Sequence, residues 1–357
     1  MNIIANPYRG RSAGPALPAS IPFPVVAGET FRSLLARCPE ARPTPLLSLP
    51  ELARQAGLDA LHAKDERQRM RIGSFKALGG AYVIARDALK ADPANLANAL
   101  AGVTYVTASA GNHGLSVAAG AKVFGATAVV HVSAGVSESF ARRLRAEGAE
   151  VVRSGDDYEQ SVEAARQQAE GTGGRFLSDG SWEGYTEIPL RVMEGYTQLM
   201  LEAGQQLSRP PTHVFAQAGV GGLAGAMAVA ARRMWGDAPV FVVVEPTEAA
   251  ALFESIRAGC PVTAPGKPSS MGRLDCKDPS LIALKGLARD ADHFATITDD
   301  EVAARLVAIA DAGVRTSPSG GAGLAGALCA NAHRDVLRLD GDSRVLVVVS
   351  EGPEDPA

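Results

Sequence analysis

From about residue 85 to about residue 350, short β-rich runs alternate with longer runs whose apolar residues recur at helical spacing. This alternation constrains the fold more than any other feature of the sequence. VTYVTAS is followed by LSVAAGAKVFG, TAVVHVS by SESFARRLRAEG, and AEVVRSG by YEQSVEAARQQAEGTG. A second run then begins. RFLSDG precedes the long helical stretch TEIPLRVMEGYTQLMLEAGQQL, THVFAQAG precedes GGLAGAMAVAARRMW, and SRVLVVVSEG closes the series. The strands read as continuous apolar runs, the pattern of parallel sheets covered by helices on both faces. The two runs, about 85–170 and about 171–350, imply an α/β fold of two units with a cleft between them. Residues 1 to about 40 are rich in Pro, Gly and Ala and are expected to be irregular.

An apolar stretch at 214–231, VFAQAGVGGLAGAMAVAA, has the length of a membrane span, but its glycines divide it into strand, loop and helix. The N-terminus has no continuous apolar segment of the secretory type. The net charge is −4 and there is no basic tract, so a nucleic-acid footprint is absent. Cys38, Cys260, Cys276 and Cys329 are widely spaced and carry no metal-ligand pattern, so a cytoplasmic setting without a metal is expected.

Three stretches can carry chemistry. AGVGGLAG (218–225) lies between a strand and a helix. Its glycines let backbone N–H groups converge where a helix N-terminus favours an anion. The same stretch serves equally as a tight turn. TASAGNHGLS (107–116) offers the hydroxyl of Ser109 and the amide of Asn112 to a carboxylate or a ring oxygen, or uses them as helix caps. His113 in the same loop reads as a structural hydrogen-bonder rather than a base. In RIGSFKALGG (71–80), Lys76 stands at the start of an apolar helical run. A lysine in a partly apolar cleft loses its proton more readily and can form a Schiff base. A lysine, an anion-binding glycine loop and a polar loop together suit pyridoxal 5′-phosphate.

KDERQRMRIGSFKALGGAY, TASAGNHG, SDGSWEGYTEIP, QAGVGGLAG, EPTEAAALFESI and VVVSEG occur in this order between about residues 40 and 352. The set resembles the fold-type II pyridoxal-phosphate enzymes. SDGSWEGYTEIP is similar to the ammonia-lyases that act on diaminopropionate, and ASAGNH to the serine and threonine dehydratases. The resemblance implies a tryptophan synthase β-like fold of two three-layer α/β/α domains with the cofactor in the cleft between them. The large domain would be 1–84 and 171–357, and the small mobile domain 85–170. Lys76 would carry the cofactor covalently and Asn112 would bond its phenolic oxygen. Gly219, Val220, Gly221, Gly222 and Leu223 would cradle the phosphate, and Ser350 would face the pyridine nitrogen. Ser109, Ala110, Gly111 and His113 would form the substrate-binding loop, with Lys76 and Asp179 as the catalytic pair. Asp179 reads alternatively as a helix N-cap. Ala110 stands where the lyases carry an aspartate, Ser319 is neutral where they are acidic, and Cys276 has no second thiol beside it. The implied activity is α,β-elimination on a β-substituted amino acid resembling 2,3-diaminopropionate, giving a 2-keto acid and ammonia. The alternatives are a serine, threonine or hydroxyaspartate dehydratase, or a catalytically silent cofactor- or amino-acid-binding protein. The expected partners are a small amino acid and a second copy of the chain, with no nucleic acid and no membrane.

Overall fold

A computed structural model of the chain describes residues 1–11, 14–109 and 111–353. Its strands are β1 (Asn2–Ala5), β2 (Leu46–Ser48), β3 (Ala60–Asp65), β4 (Thr104–Ala108), β5 (Thr127–Val132), β6 (Glu150–Arg153), β7 (Arg175–Phe176), β8 (His213–Gln217), β9 (Val240–Pro246), β10 (His293–Ile297) and β11 (Arg344–Val349). They form a seven-stranded sheet ordered β1-β10-β9-β8-β11-β3-β2 and a four-stranded sheet ordered β6-β5-β4-β7. The small sheet is wholly parallel, as is the centre of the large one. Only the edge strands β1 and β2 run antiparallel. No described helix is long and apolar enough to cross a membrane.

The period of two along each strand produces the layers. Val214 and Ala216 of β8, with Phe241 and Val243 of β9, face one core, which also holds the helix Gly222–Trp235. Phe215, Val242 and Val244 face the opposite core, against Leu324 and Ala325 of the helix Pro318–Cys329. In the small sheet, Ala128 and Val130 face the first core, while Val106 and Val129 pack against Ala165 and Ala169 of the helix Tyr158–Thr172. Each sheet is therefore the middle layer of an α/β/α sandwich, as the alternation implies.

The N-terminal forty residues are more ordered than expected. Asn2–Ala5 pairs along β10, and Glu29–Ala36 is a helix. A four-residue edge strand is too short to register as a periodic pattern. The small sheet takes its last strand, β7, from Arg175–Phe176, past residue 170, because β7 pairs with β4. Two residues carry no periodicity that would show which sheet they join.

The segment leading to Lys76 is anchored by a buried ionic cluster. Arg69 donates to Glu66 at 2.8 Å and to Glu202 at 2.7 Å, and Lys64 meets Glu202 at 2.8 Å. All four side chains are buried. Charges removed from water this fully are tolerated only when each is paired. The pairing ties the end of β3 to the helix Glu187–Gln206 and fixes where the following turn begins.

Candidate active site

In parallel sheets the loops after the strands gather at the carboxyl ends. Here the loops after β4, β8 and β11 converge with the turn that carries Lys76. Lys76 is the second residue of a 3₁₀ turn, Phe75–Leu78, capped by Ser74. The turn is stitched to the end of β11: Ser74 bridges to Glu351, and the Phe75 N–H donates to the Ser350 carbonyl at 3.3 Å. The helix expected to run from Ser74 is interrupted at Gly79, where a Cβ would lie 2.5 Å from the Tyr196 ring. It resumes as Gly80–Ala91.

One cavity of about 220 Å³ is bordered by Lys76 and Asp179, by Ser109, Gly111, Asn112 and His113, and by residues 219–223 and Ser350. These are the residues singled out from sequence. Ala110 lies outside the described residues. The Lys76 ammonium is hydrogen-bonded to the Asp179 carboxylate. Burial alone would pull the Lys76 amine down, but the Asp179 charge outweighs it and holds the amine above its ordinary range. Burial likewise pushes the Asp179 carboxyl up, and Lys76 reverses this, leaving it well below the usual carboxylate range. Asp179 caps no helix: the next one starts at Glu187 behind Thr186.

Gly221 has φ 98° and is the N-cap of the helix Gly222–Trp235, with no side chain capping it. A Cβ at Gly221 would meet Leu252 at 2.9 Å, and one at Gly219 would meet the Cys276 Sγ at 3.1 Å. The bend is therefore restricted to glycine, and its uncapped N–H groups suit an anion. The helix Asn112–Val123 also starts without a side-chain cap, behind Gly111. Ser109 instead receives the Gly111 N–H at 3.1 Å, so neither Ser109 nor Asn112 acts as the cap. His113 lies 3.1 Å from the Leu177 carbonyl through Nε2. A carbonyl only accepts, so Nε2 bears the hydrogen. Burial lowers the pKa of His113, which keeps the ring neutral.

Sequence reasoning missed Glu351, Arg273 and Tyr158, which border the same cavity. An acid two residues past the buried run of β11 was the available signal for Glu351; Arg273 and Tyr158 carry no local pattern. An adjoining cavity of about 430 Å³ shares Tyr158, Val220 and Cys276 with the first. Burial pushes the Cys276 thiol up to about 12, and the Asp179 charge adds to this. Thiolate is the reactive form. In a thiol-reagent time course at pH 8, exposed Cys260 is expected to react first, with Cys276 slower by at least about tenfold. Equal rates would contradict the raised thiol of Cys276.

Residues 38–351 match the family described as pyridoxal-phosphate dependent enzyme. The diaminopropionate ammonia-lyase of Salmonella typhimurium is 34% identical, over 90% of this chain and 87% of the relative. A probable D-serine dehydratase of Acidovorax sp. is 29% identical, over 79% of this chain and 70% of the relative. The crystal structure of Escherichia coli diaminopropionate ammonia-lyase with an aminoacrylate–PLP azomethine intermediate superposes with a TM-score of 0.87 at 27% identity. It covers 98% of this chain and 93% of that one.

Proposed function

This chain belongs to the pyridoxal-phosphate-dependent enzymes, and from that premise we propose that it is an ammonia-lyase acting on a β-substituted amino acid of the 2,3-diaminopropionate type. The products are a 2-keto acid and ammonia. The observation that carries the reading is the shared cavity. Lys76, paired with Asp179, opens onto the same space as the glycine bend at 219–223.

The residues present fit pyridoxal phosphate. Gly219 and Gly221 leave a bend that a Cβ would fill, at an uncapped helix N-terminus suited to the phosphate. Lys76 supplies the amine for the aldehyde, Asn112 a donor for the phenolic oxygen, and the Ser350 hydroxyl a neutral neighbour for the ring nitrogen. When bound, the cofactor withdraws electrons from the substrate Cα. The chain does the rest. The Ser109–Gly111 loop orients the substrate carboxylate, with His113 at its side. Once its Nζ is free and uncharged, Lys76, or the Asp179 carboxylate, would take the Cα proton, and a hydrogen bond between the two would let that proton pass between them. Asp179 also offers its charge to a distal ammonium on the substrate. Replacing Gly221 with alanine puts a side chain at φ 98° against Leu252, a strain of about 1–3 kcal/mol. Cofactor affinity, read by equilibrium dialysis, is expected to fall by about tenfold or more.

The test of the reaction is a screen of D- and L-amino acids for keto-acid and ammonia release. A diaminopropionate substrate yields two ammonia molecules per keto acid, and serine yields one. Highest kcat/KM for diaminopropionate supports the proposal; no release from any β-substituted amino acid refutes it. The similarity to a probable D-serine dehydratase favours a hydroxyamino-acid dehydratase as the second reading. Highest kcat/KM for serine, threonine or hydroxyaspartate would select it. The proposal includes a homodimer in the cytoplasm, with light scattering as the check on the first. It also divides the chain along its two sheets, with the small unit starting near residue 85 and extended from 170 to include β7.

A further inference from the structure

Glu351 follows Ser350 at the end of β11 and is almost wholly buried. Its carboxylate gathers donors from three separate segments. Oε2 accepts from the Asn112 Nδ2 at 2.5 Å, at the start of the helix that follows β4. Oε1 accepts from the Arg273 Nη1 at 2.9 Å and from the Ser317 hydroxyl. Ser317 in turn caps the helix Pro318–Cys329 by accepting the Gly320 N–H at 2.9 Å. The backbone is fixed as well: the Glu351 carbonyl accepts from the Thr316 hydroxyl at 2.6 Å, and the residue bridges to Ser74. A carboxylate pinned this way cannot turn to follow a ligand. An ionised carboxylate only accepts, so Asn112 must present its NH₂ group to Glu351. That fixes which way the amide faces, and it leaves the second hydrogen of Nδ2 for the cavity that Asn112 borders.

We infer that Glu351 is a positioning residue that sets Asn112 as a hydrogen-bond donor to the ring oxygen of the cofactor. The contact also links the two sheets, since Asn112 follows β4 of the small sheet and Glu351 follows β11 of the large one. Glutamine at 351 has a single oxygen. If that oxygen stays with Arg273 and Ser317, its NH₂ faces Asn112 and forces the amide to turn over, presenting its oxygen to Glu351→Gln and withdrawing its donor from the cavity.

The inference rests on the functional reading above, and a double-mutant cycle separates the two. The pyridoxal phosphate dissociation constant is measured for the wild type, Glu351→Gln, Asn112→Ala and the double variant, alongside the pH titration of the bound cofactor's absorption. Glu351→Gln is expected to weaken cofactor binding about tenfold in the wild-type background and less than about threefold with Asn112→Ala. Its shift of the absorption titration should likewise vanish in that background. Equal losses in both backgrounds, or no loss in the first, would overturn the role of Glu351. Wild-type protein that retains no pyridoxal phosphate would overturn the functional reading and this inference with it. If Glu351→Gln does not fold, Glu351→Asp is used under the same criteria. It keeps the charge beside Arg273 but falls one methylene short of Asn112.

Discussion

Replacing Lys76 with alanine is expected to lower keto-acid release by at least about a thousandfold and to abolish the absorption band of covalently bound cofactor. No other described lysine borders the cavity that holds the glycine bend. Lys76→Arg is the informative companion. It keeps a cation beside Asp179 but offers no amine able to condense with an aldehyde, so it should fold and remain inactive. The two variants differ in stability for a definite reason. In cofactor-free protein, Lys76 depresses the Asp179 pKa below its unfolded value. A depressed carboxyl contributes stability above the ordinary carboxylate range and loses it as pH falls through the depressed value. Lys76→Ala removes that contribution. Its deficit against the wild type, followed by urea denaturation, is therefore largest near neutral pH and shrinks toward strong acid. A deficit that grows on acidification would contradict the ion pair.

Gly195→Ala is expected to be the most damaging single methyl in the chain outside the chemistry itself. A Cβ at Gly195 would stand 1.9 Å from the Leu78 carbonyl oxygen, in the turn that carries Lys76. Neither partner is a flexible side-chain end. One is the backbone of the helix Glu187–Gln206 and the other the backbone of the 3₁₀ turn, so relief requires the two to separate. Overpacking of this kind costs about 3 kcal/mol or more, and the displacement moves Lys76 away from the glycine bend. Loss of cofactor retention should accompany the fall in denaturation midpoint. Gly171→Ala is the control: it lies in the helix Tyr158–Thr172, and a Cβ there meets nothing within 4 Å. It should leave stability the same or raise it by about 0.5–1 kcal/mol. Similar losses at 171 and 195 would contradict the close approach.

What could be read from the sequence and what could not divide along physical lines. The sheets announce themselves because a strand buried on both faces is apolar along most of its length, as VFVVV at the start of β9 is. The glycine bend is legible as a cluster of glycines between strand and helix, and a Cβ is tight at Gly219 and strained at Gly221. The strand β1, and the sheet that β7 joins, were not legible. β1 and β7 are short, and pairing with β10 or β4 is a tertiary event. Charged residues misled in another way. KDERQRMR carries six charged residues, yet Lys64, Glu66 and Arg69 are buried because Glu202, far along the chain, neutralises two of them. Glu351 and Arg273 reach the cavity by the same kind of long-range pairing. Asp179 could be read as a helix cap or as an active-site acid; the helix start at Glu187 rules out the cap, and the contact with Lys76 is a tertiary event that the sequence does not show.

Lys76 is the one covalent partner proposed for the cofactor, and borohydride reduction of the holoenzyme followed by proteolysis and mass spectrometry tests this directly. The expected result is a single pyridoxyl group on the peptide carrying Lys76. A pyridoxyl group on Lys64, Lys277 or any other lysine, or full cofactor occupancy with Lys76 unmodified, would contradict it.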